Sequence, residues 1–206
     1  MSNETIEEVK RIFPKRKNSL STCENPKVDF ESQNRDEQVY ILSRAAFVTN
    51  LGWIIGSILE LMFLAIIVFI LTKLKIPYLG VVPIPYIIII IILGFSLILD
   101  NIVTHWIRWF YNLYIVTNER IVDYDFTPGG TFRIAEAGLL NIEDVSQTQS
   151  GFLSNLFNYG NLRIQTASEK SFFLMERIAN PSYLRDKILD LKDAVQKDHQ
   201  HYEHKQ

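Results

Sequence analysis

The sequence predicts an α+β membrane protein: a two-helix transmembrane hairpin, then an antiparallel β domain that a C-terminal α-helix closes. Three observations predict it: two long apolar runs, a change to two-residue alternation after them, and a final amphipathic segment. The chain has 206 residues and a net charge of −2. This charge gives no general attraction to nucleic acid, and we expect no nucleic-acid partner. The single cysteine, Cys23, excludes an internal disulfide.

The first segment, residues 1–34, is polar and mixed in charge, and we expect a mostly disordered tail. Thr5 and Glu8 have the spacing of a helix cap, and Ile6, Val9 and Phe13 follow at helical spacing. A basic cluster follows, made of Lys10, Arg11, Lys15, Arg16 and Lys17. It indicates either an anchor on anionic headgroups or a solvated tail, and the acidic residues that follow favour the tail.

The apolar runs cover residues 45–71 and 84–99. A bilayer core is about 30 Å thick and requires about 20 helical residues. The pattern therefore predicts transmembrane helices at about 45–72 and 84–105, within a hairpin region of residues 35–110, and a lipid bilayer as partner. Buried core helices are the alternative, but a soluble domain rarely needs two of this length in succession.

Lysine and arginine placement predicts the topology. Arg35 and Arg44 precede the first helix and Arg108 and Arg120 accompany the end of the second, against Lys73 and Lys75 in the loop. The balance favours both termini and the β domain in the cytoplasm and the loop outside.

The first helix contains a small-xxx-small motif, Gly52 and Gly56, and Glu60 shares its face. Reflection about the loop brings Glu60 near Ser96, which suggests a hydrogen bond to a protonated carboxyl. A carboxyl near the middle of a membrane helix indicates an ion, proton or oligomer site, or a group that fixes helix packing. We favour packing, because one carboxyl makes a poor transport path.

The second helix ends in an aromatic and basic cluster of Trp106, Arg108, Trp109 and Tyr111. Such residues are typical of membrane–water interfaces. We interpret the cluster as an interface anchor and not as a ligand pocket.

The β domain is predicted over residues 111–197. Strands are expected at 111–117, 121–126, 131–137, 141–149, 162–166 and 172–177, with a helical turn at 154–159. Within the second strand, Val122 and Tyr124 form the buried face, and Asp123 and Asp125 the outer face. A capped amphipathic helix begins at Pro181, and residues 198–206 are expected to be a disordered tail.

The stretch from Tyr114 to Ile121 (Tyr-Ile-Val-Thr-Asn-Glu-Arg-Ile) resembles the signature of bacterial pleckstrin-homology-like (PH-like) domains of the membrane-anchored, YdbS-like kind. Residues 36–40, 141–145 and 156–164 are similar to further blocks of that family. The resemblance implies a PH-like barrel of six or seven strands capped by the C-terminal helix, in a bacterial cytoplasmic membrane. The signature residues Thr117, Asn118, Arg120 and Gly160 are expected to be structural; the alternative for Arg120 is binding of a phosphate or a partner carboxylate.

Sequence motifs for catalysis are lacking, so we expect no enzyme, no catalytic or metal-binding residues and no cofactor. Arg120 is the only basic residue between Tyr111 and Phe126, which argues against the phosphoinositide site of PH domains. The leading hypothesis is non-catalytic binding or scaffolding of an unidentified protein partner at the membrane, with homo-oligomerisation left open. The alternatives are lipid recognition or handling by the domain, and a small transport subunit that uses Glu60.

Overall fold

The computed structural model describes residues 3–13, 19–26, 28–30, 32–73, 75–76, 80–167 and 172–203. The chain divides into two compact units, one of residues 1–48 with 110–206 and one of residues 49–109. We call them the β unit and the helical unit. The helical unit is therefore an insertion in the sequence of the β unit.

The elements are numbered in chain order. They are α1 (Asn3–Ile12), β1 (Thr22–Glu24), β2 (Val39–Ser43), α2 (Leu51–Lys73), β3 (Lys75–Ile76), β4 (Gly80–Val81), α3 (Ile84–Tyr111), β5 (Leu113–Thr117), β6 (Arg120–Thr127), β7 (Thr131–Gly138), β8 (Ile142–Thr148), α4 (Phe152–Leu156), β9 (Tyr159–Thr166), β10 (Phe172–Ala179) and α5 (Pro181–Glu203). A 3₁₀ turn, Phe47–Asn50, leads into α2. The protein is thus α+β, with two apolar helices followed by antiparallel strands, as the alternation predicted.

The β unit contains two antiparallel sheets, with strand orders β1-β2-β5-β6-β7 and β10-β9-β8. Strand β2 precedes the helical unit and β5 follows it, yet they pair directly, with Ser43 opposite Tyr114. Within the described residues, one isolated bridge joins Ala45, two residues after β2, to Ile178 of β10. The predicted barrel is therefore not closed: the strands form two sheets that face each other across a core.

Helix α5 covers the core between the sheets. Leu184, Ile188 and Leu191 are buried against residues of both sheets, including Val116 and Ile164. The apolar stripe predicted for this helix is its buried face. The helix also continues through residues 198–203, where we expected a disordered tail.

The N-terminal segment differs from the predicted tail, because much of it belongs to the β unit. Val9 and Phe13 of the first segment are buried in the main core, and the Phe13 ring stacks on Tyr40 with centroids 5.4 Å apart. Thr5, expected to cap the helix, instead donates a hydrogen bond to Asp198 (2.9 Å). The apolar face of α1 is satisfied by protein and not by solvent or lipid. Lys15, Arg16 and Lys17 lie outside the described residues.

The helical unit contains two helical segments, of 27 and 28 residues, that are long and apolar enough to cross a membrane. Their apolar side chains are largely exposed, so they are unlike the core helices of a soluble domain. The closest helix approach marked by a glycine is at Gly94, where an added Cβ would lie 2.7 Å from Leu64 Cδ1. At Gly52 and Gly56 an added Cβ would meet only open space within the described chain. The close approach thus uses a glycine other than the predicted pair.

Candidate functional site

The signature turn between β5 and β6 holds a buried carboxylate that the sequence analysis did not single out. Arg120 donates from Nε and Nη2 to the two oxygens of Glu37, at 3.0 and 2.9 Å. The Thr117 hydroxyl donates to the same carboxylate at 2.7 Å. The Glu37 side chain has no exposed area. A bidentate arginine with a further donor is what a buried carboxylate needs to stay charged.

The electrostatics of this pair favour its ionised form. Burial alone would raise the pKa of Glu37, but hydrogen bonds from Arg120, the Asn34 amide and Thr117 outweigh it, so the pKa lies below its ordinary value. The Glu37 carboxylate in turn raises the pKa of Arg120. The ion pair therefore persists at neutral pH.

Arg120 also makes three further contacts. Its Nη1 donates to Glu136 at 2.7 Å, its Nη2 donates to the Ser32 carbonyl at 2.5 Å, and its guanidinium lies 5.7 Å from the Phe30 ring centroid. The Arg120 guanidinium thus has two carboxylates of the same chain and one backbone carbonyl as partners. These contacts favour the structural interpretation over binding of a phosphate.

Asn118 joins the same turn to the segment before β2. Its Oδ1 accepts a hydrogen bond from the Gln38 amide at 2.6 Å, and its own amide donates to the Gln38 carbonyl at 3.2 Å. Together with the Glu37 contacts, these bonds fasten the chain before the insertion to the chain after it. We call this set of residues, Glu37, Gln38, Thr117, Asn118 and Arg120, the polar clamp.

Gly160, the remaining signature residue, lies near the start of β9, beside the last residue of its paired strand β8. A Cβ at this position would lie 2.6 Å from the Thr148 carbonyl oxygen. Backbone cannot move aside as a side chain can, so only glycine fits here. This contact also favours a structural role.

Asp123 and Asp125 lie on the inner face of the first sheet, so their predicted outer position is wrong. Asp123 is directly opposite Tyr114 in the β5–β6 register. The Tyr114 hydroxyl accepts a hydrogen bond from the Glu176 amide of the other sheet at 3.0 Å. The prediction failed because β6 is covered on both faces, and Val122 packs in a second cluster with Val39.

The inner-face position perturbs Asp123. Burial raises the pKa of Asp123 to about 6, and the negative charges of Asp125 and Glu176 act in the same direction. The positive charge of Arg133 lowers the pKa but does not outweigh them. Within the described residues, no group of three or more His, Cys, Asp or Glu side chains could hold a metal ion. The arrangement is a half-buried acidic group that would repel an anionic headgroup.

Strand β7 forms an outer edge of the five-stranded sheet. On the outer face, Phe132 lies opposite Phe126 and Ile134 opposite Tyr124, and Phe132 and Ile134 are exposed. An edge strand beside an apolar stripe is the arrangement that accepts an extended peptide as an additional strand. This β7 edge is the best candidate binding surface in the β unit, and sequence reasoning did not single it out.

In the helical unit, Glu60 contacts Asn101, whose Nδ2 donates to both carboxylate oxygens at 3.3 and 3.4 Å. The structure thus brings Asn101 to Glu60 where Ser96 was expected. The predicted anchor residues lie on the last turns of α3, where the Trp106 and Trp109 ring centroids are 5.6 Å apart. Arg108 and Tyr111 are exposed on the same turns.

No family model matches the sequence, and no curated protein matches it. Among solved structures, the chain is similar to a DUF1696 family protein with a pleckstrin-homology domain from Shewanella loihica, with 14% identity and a TM-score of 0.33, over 41% of this chain and 74% of that chain.

Proposed function

We propose that the protein is an integral membrane protein that displays a PH-like, non-catalytic binding module in the cytoplasm. The observation that carries the proposal is the pairing of β2 with β5 around an inserted pair of exposed apolar helices. A hairpin of this kind would anchor the module at two points of its own sheet. The module would then act as a scaffold held close to the bilayer.

The PH-like, YdbS-like assignment is supported by strand order as well as by the signature. Apart from the short β1, the β unit has four strands in one sheet, three in the other and a C-terminal helix over the core. In this arrangement the helical unit occupies the connection between the first two of the seven strands. The proposal predicts an integral protein with both termini on the cytoplasmic side.

A peptide segment of a partner protein is the ligand that the β7 edge fits best. Main-chain hydrogen bonds would give affinity, and the stripe containing Phe132 and Ile134 would select apolar side chains. Headgroup binding is less well supported, because Arg120 is engaged in the polar clamp and Asp123 carries acidic charge. For transport, the Asn101 contact to Glu60 supports a packing role instead.

Membrane insertion and topology can be tested together. In a Cys23→Ser background, Lys73→Cys should react with an impermeant maleimide in intact cells, whereas Asp190→Cys should react only after lysis. The full chain should also stay in the membrane fraction after alkaline extraction. Release at high pH would contradict insertion, and the reverse labelling pattern would contradict the orientation.

The binding surface can be tested by photo-crosslinking in the native membrane. A photoreactive residue at Phe132 should give discrete adducts, and the same residue at Gln165 on the other sheet should not. Equal adducts at both positions would contradict the β7 edge as the binding surface.

A further inference from the structure

We propose that the exposed apolar residues around α4 insert into the interface of the same bilayer that the helical unit spans. These residues are Phe152, Leu153, Leu156 and Phe157, which we call the apolar wedge. The inference rests on the proposed membrane anchoring and deepens it. It gives the β unit a second membrane contact, separate from the spanning helices.

The wedge has the reverse of the arrangement found in an ordinary surface helix: its apolar side chains are exposed and its polar side chain is buried. Its four apolar side chains are 78, 56, 61 and 44% exposed, in chain order. Ser154, the polar residue among them, is buried and its hydroxyl donates to the Tyr159 carbonyl. A soluble surface would place the hydroxyl outside and the leucines inside, so this segment is built for an apolar surrounding.

Charge is absent from the sequence around the wedge. Residues 145–162 contain no aspartate, glutamate, lysine or arginine, although 21% of the chain is charged. Charged side chains oppose entry into the headgroup–acyl boundary, and their absence removes that cost. The polar neighbours are uncharged, such as Asn155 and Asn158.

The wedge lies at the end of the β unit where the chain leaves for α2. Ala45 forms a bridge with Ile178, and the Ala46 amide donates to the Arg177 carbonyl at 2.7 Å. Ile178 is paired with Gly160, near the start of the strand that follows the wedge. The exit point and the wedge therefore share one end of the second sheet.

The connections between the units are short. Ala46 alone separates its bridged neighbour Ala45 from the 3₁₀ turn that leads into α2, and Asn112 alone separates α3 from β5. One extended residue spans at most about 3.6 Å. The chain path from this end of the β unit to the proposed spanning helices is therefore short on both sides.

A bilayer suits the wedge better than a second copy of the chain. A specific protein interface buries more than about 1,000 Å² in total, which four side chains on and next to a five-residue helix do not supply alone. Lipid insertion needs no such area here, because the spanning helices already fix the wedge at high local concentration near the surface. Four apolar side chains then suffice.

The test uses the full chain in liposomes with brominated acyl chains. In a Cys23→Ser background, an environment-sensitive fluorophore is attached at Leu153→Cys, Leu140→Cys or Ile66→Cys. Leu140 is a matched control, because it is apolar and 43% exposed. It adjoins Leu139, whose amide donates a hydrogen bond to the carbonyl of Glu119 in the turn between β5 and β6. Ile66, near the middle of α2, reports whether the hairpin is in the bilayer.

The account predicts strong quenching at Ile66 and several-fold more quenching at Leu153 than at Leu140, with the Leu153 label about 5–10 Å into the headgroup–acyl boundary. Quenching at Ile66 but equal, weak quenching at Leu153 and Leu140 would overturn the wedge and leave the proposed anchoring intact. No quenching at Ile66 would overturn the anchoring itself. Energy transfer between Leu153 labels without lipid quenching would identify a second copy as the occupant and also overturn the wedge.

Discussion

Phe13 and Phe63 illustrate the difference between the β unit and the helical unit. Phe13 is 2% exposed in the main core, whereas Phe63 is 65% exposed on α2. In the β unit, protein removes the apolar side chains from solvent. In the helical unit, the apolar side chains are exposed on the helix surfaces. Under the proposed membrane insertion, phenylalanine would stabilise the β unit through burial in protein and the helical unit through contact with lipid.

The carboxylates of Glu37 and Glu60 differ in the same way. Glu37 is enclosed and receives hydrogen bonds from Arg120, Thr117 and the Asn34 amide. Glu60 is exposed in the helical unit and contacts Asn101. Because the positive partner of Glu37, Arg120, belongs to the β unit, substitution of Arg120 should change the stability of the β unit and leave the helical unit unaffected.

The largest effect is expected from Phe13→Ala. The substitution removes a buried ring that stacks on Tyr40 and whose centroid is 5.3 Å from Lys187 Nζ. The free energy of unfolding of the β unit should therefore fall by about 4 kcal/mol. Phe63→Ala is the matched control and should leave that transition unchanged. Chemical denaturation in detergent measures both. Equal loss in the two variants would mean that the units do not differ as described.

Breaking the polar clamp should cost slightly less. Arg120→Met leaves Glu37 buried without its cation, and we expect a loss of about 3 kcal/mol. Arg133→Met, which breaks the exposed pair with Asp125, should cost less than about 1 kcal/mol. Because the folded pKa of Glu37 is below its ordinary 4.5, the stability from the clamp is present above that pH and lost as the pH falls through the folded pKa.

Denaturation midpoints of the two variants at pH 7 test the clamp. A loss for Arg120→Met no greater than that for Arg133→Met would show that Glu37 does not depend on its bidentate partner.

Alanine substitutions at glycines should also have different effects in the two units. Gly160→Ala forces a Cβ against the Thr148 carbonyl and should destabilise the β unit by about 2 kcal/mol. Gly52→Ala enters open space and should leave β-unit stability as it is. Thermal unfolding measures both variants, and tolerance of Gly160→Ala would contradict the close approach of Gly160 to the Thr148 carbonyl.

Asp123→Asn should give the smallest effect and stabilise the protein. The carboxyl has a pKa of about 6 when folded, above its ordinary 3.8, so the folded state binds more protons and stability falls as pH rises through this window. Asparagine removes that loss. After allowance for solvent screening, we expect a gain of about 1 kcal/mol at pH 7.5 and almost none at pH 4.

Unfolding of Asp123→Asn and the parent at the two pH values measures this difference. A gain of the same size at both values would show that ionisation of Asp123 is not its cause.

The elements with local signatures were predicted from the sequence. Strand-forming composition, with two-residue alternation in β6 and β9, located β5 to β10 within a few residues, and the Asn180–Pro181 pair located the start of α5. Run length located α2 and α3. Each of these signals is contained in a short window, so no knowledge of distant contacts was needed.

The missing parts depend on contacts far apart in sequence. Glu37 meets Arg120 across an insertion, and a short mixed-charge segment gives no sign of this. The apolar run Val39–Ser43 was a signal for β2, but its partner strand lies beyond two apolar helices. The face of Asp123 was misassigned because alternation identifies two faces and does not say which one meets the larger core.

The central claim is that the β unit is one fold interrupted by the helical unit. The most direct measurement replaces residues 47–109 with a short glycine–serine linker and compares this protein with residues 110–206 alone, by denaturation and amide exchange. Ser43 and Tyr114 are opposite each other on strands about 5 Å apart, so a short linker in place of residues 47–109 can close the chain between β2 and β5. We predict cooperative unfolding with protected amides at Ile41 and Val116 for the joined protein, and no cooperative transition for the fragment. A fragment that unfolds as cooperatively as the joined protein would contradict the claim.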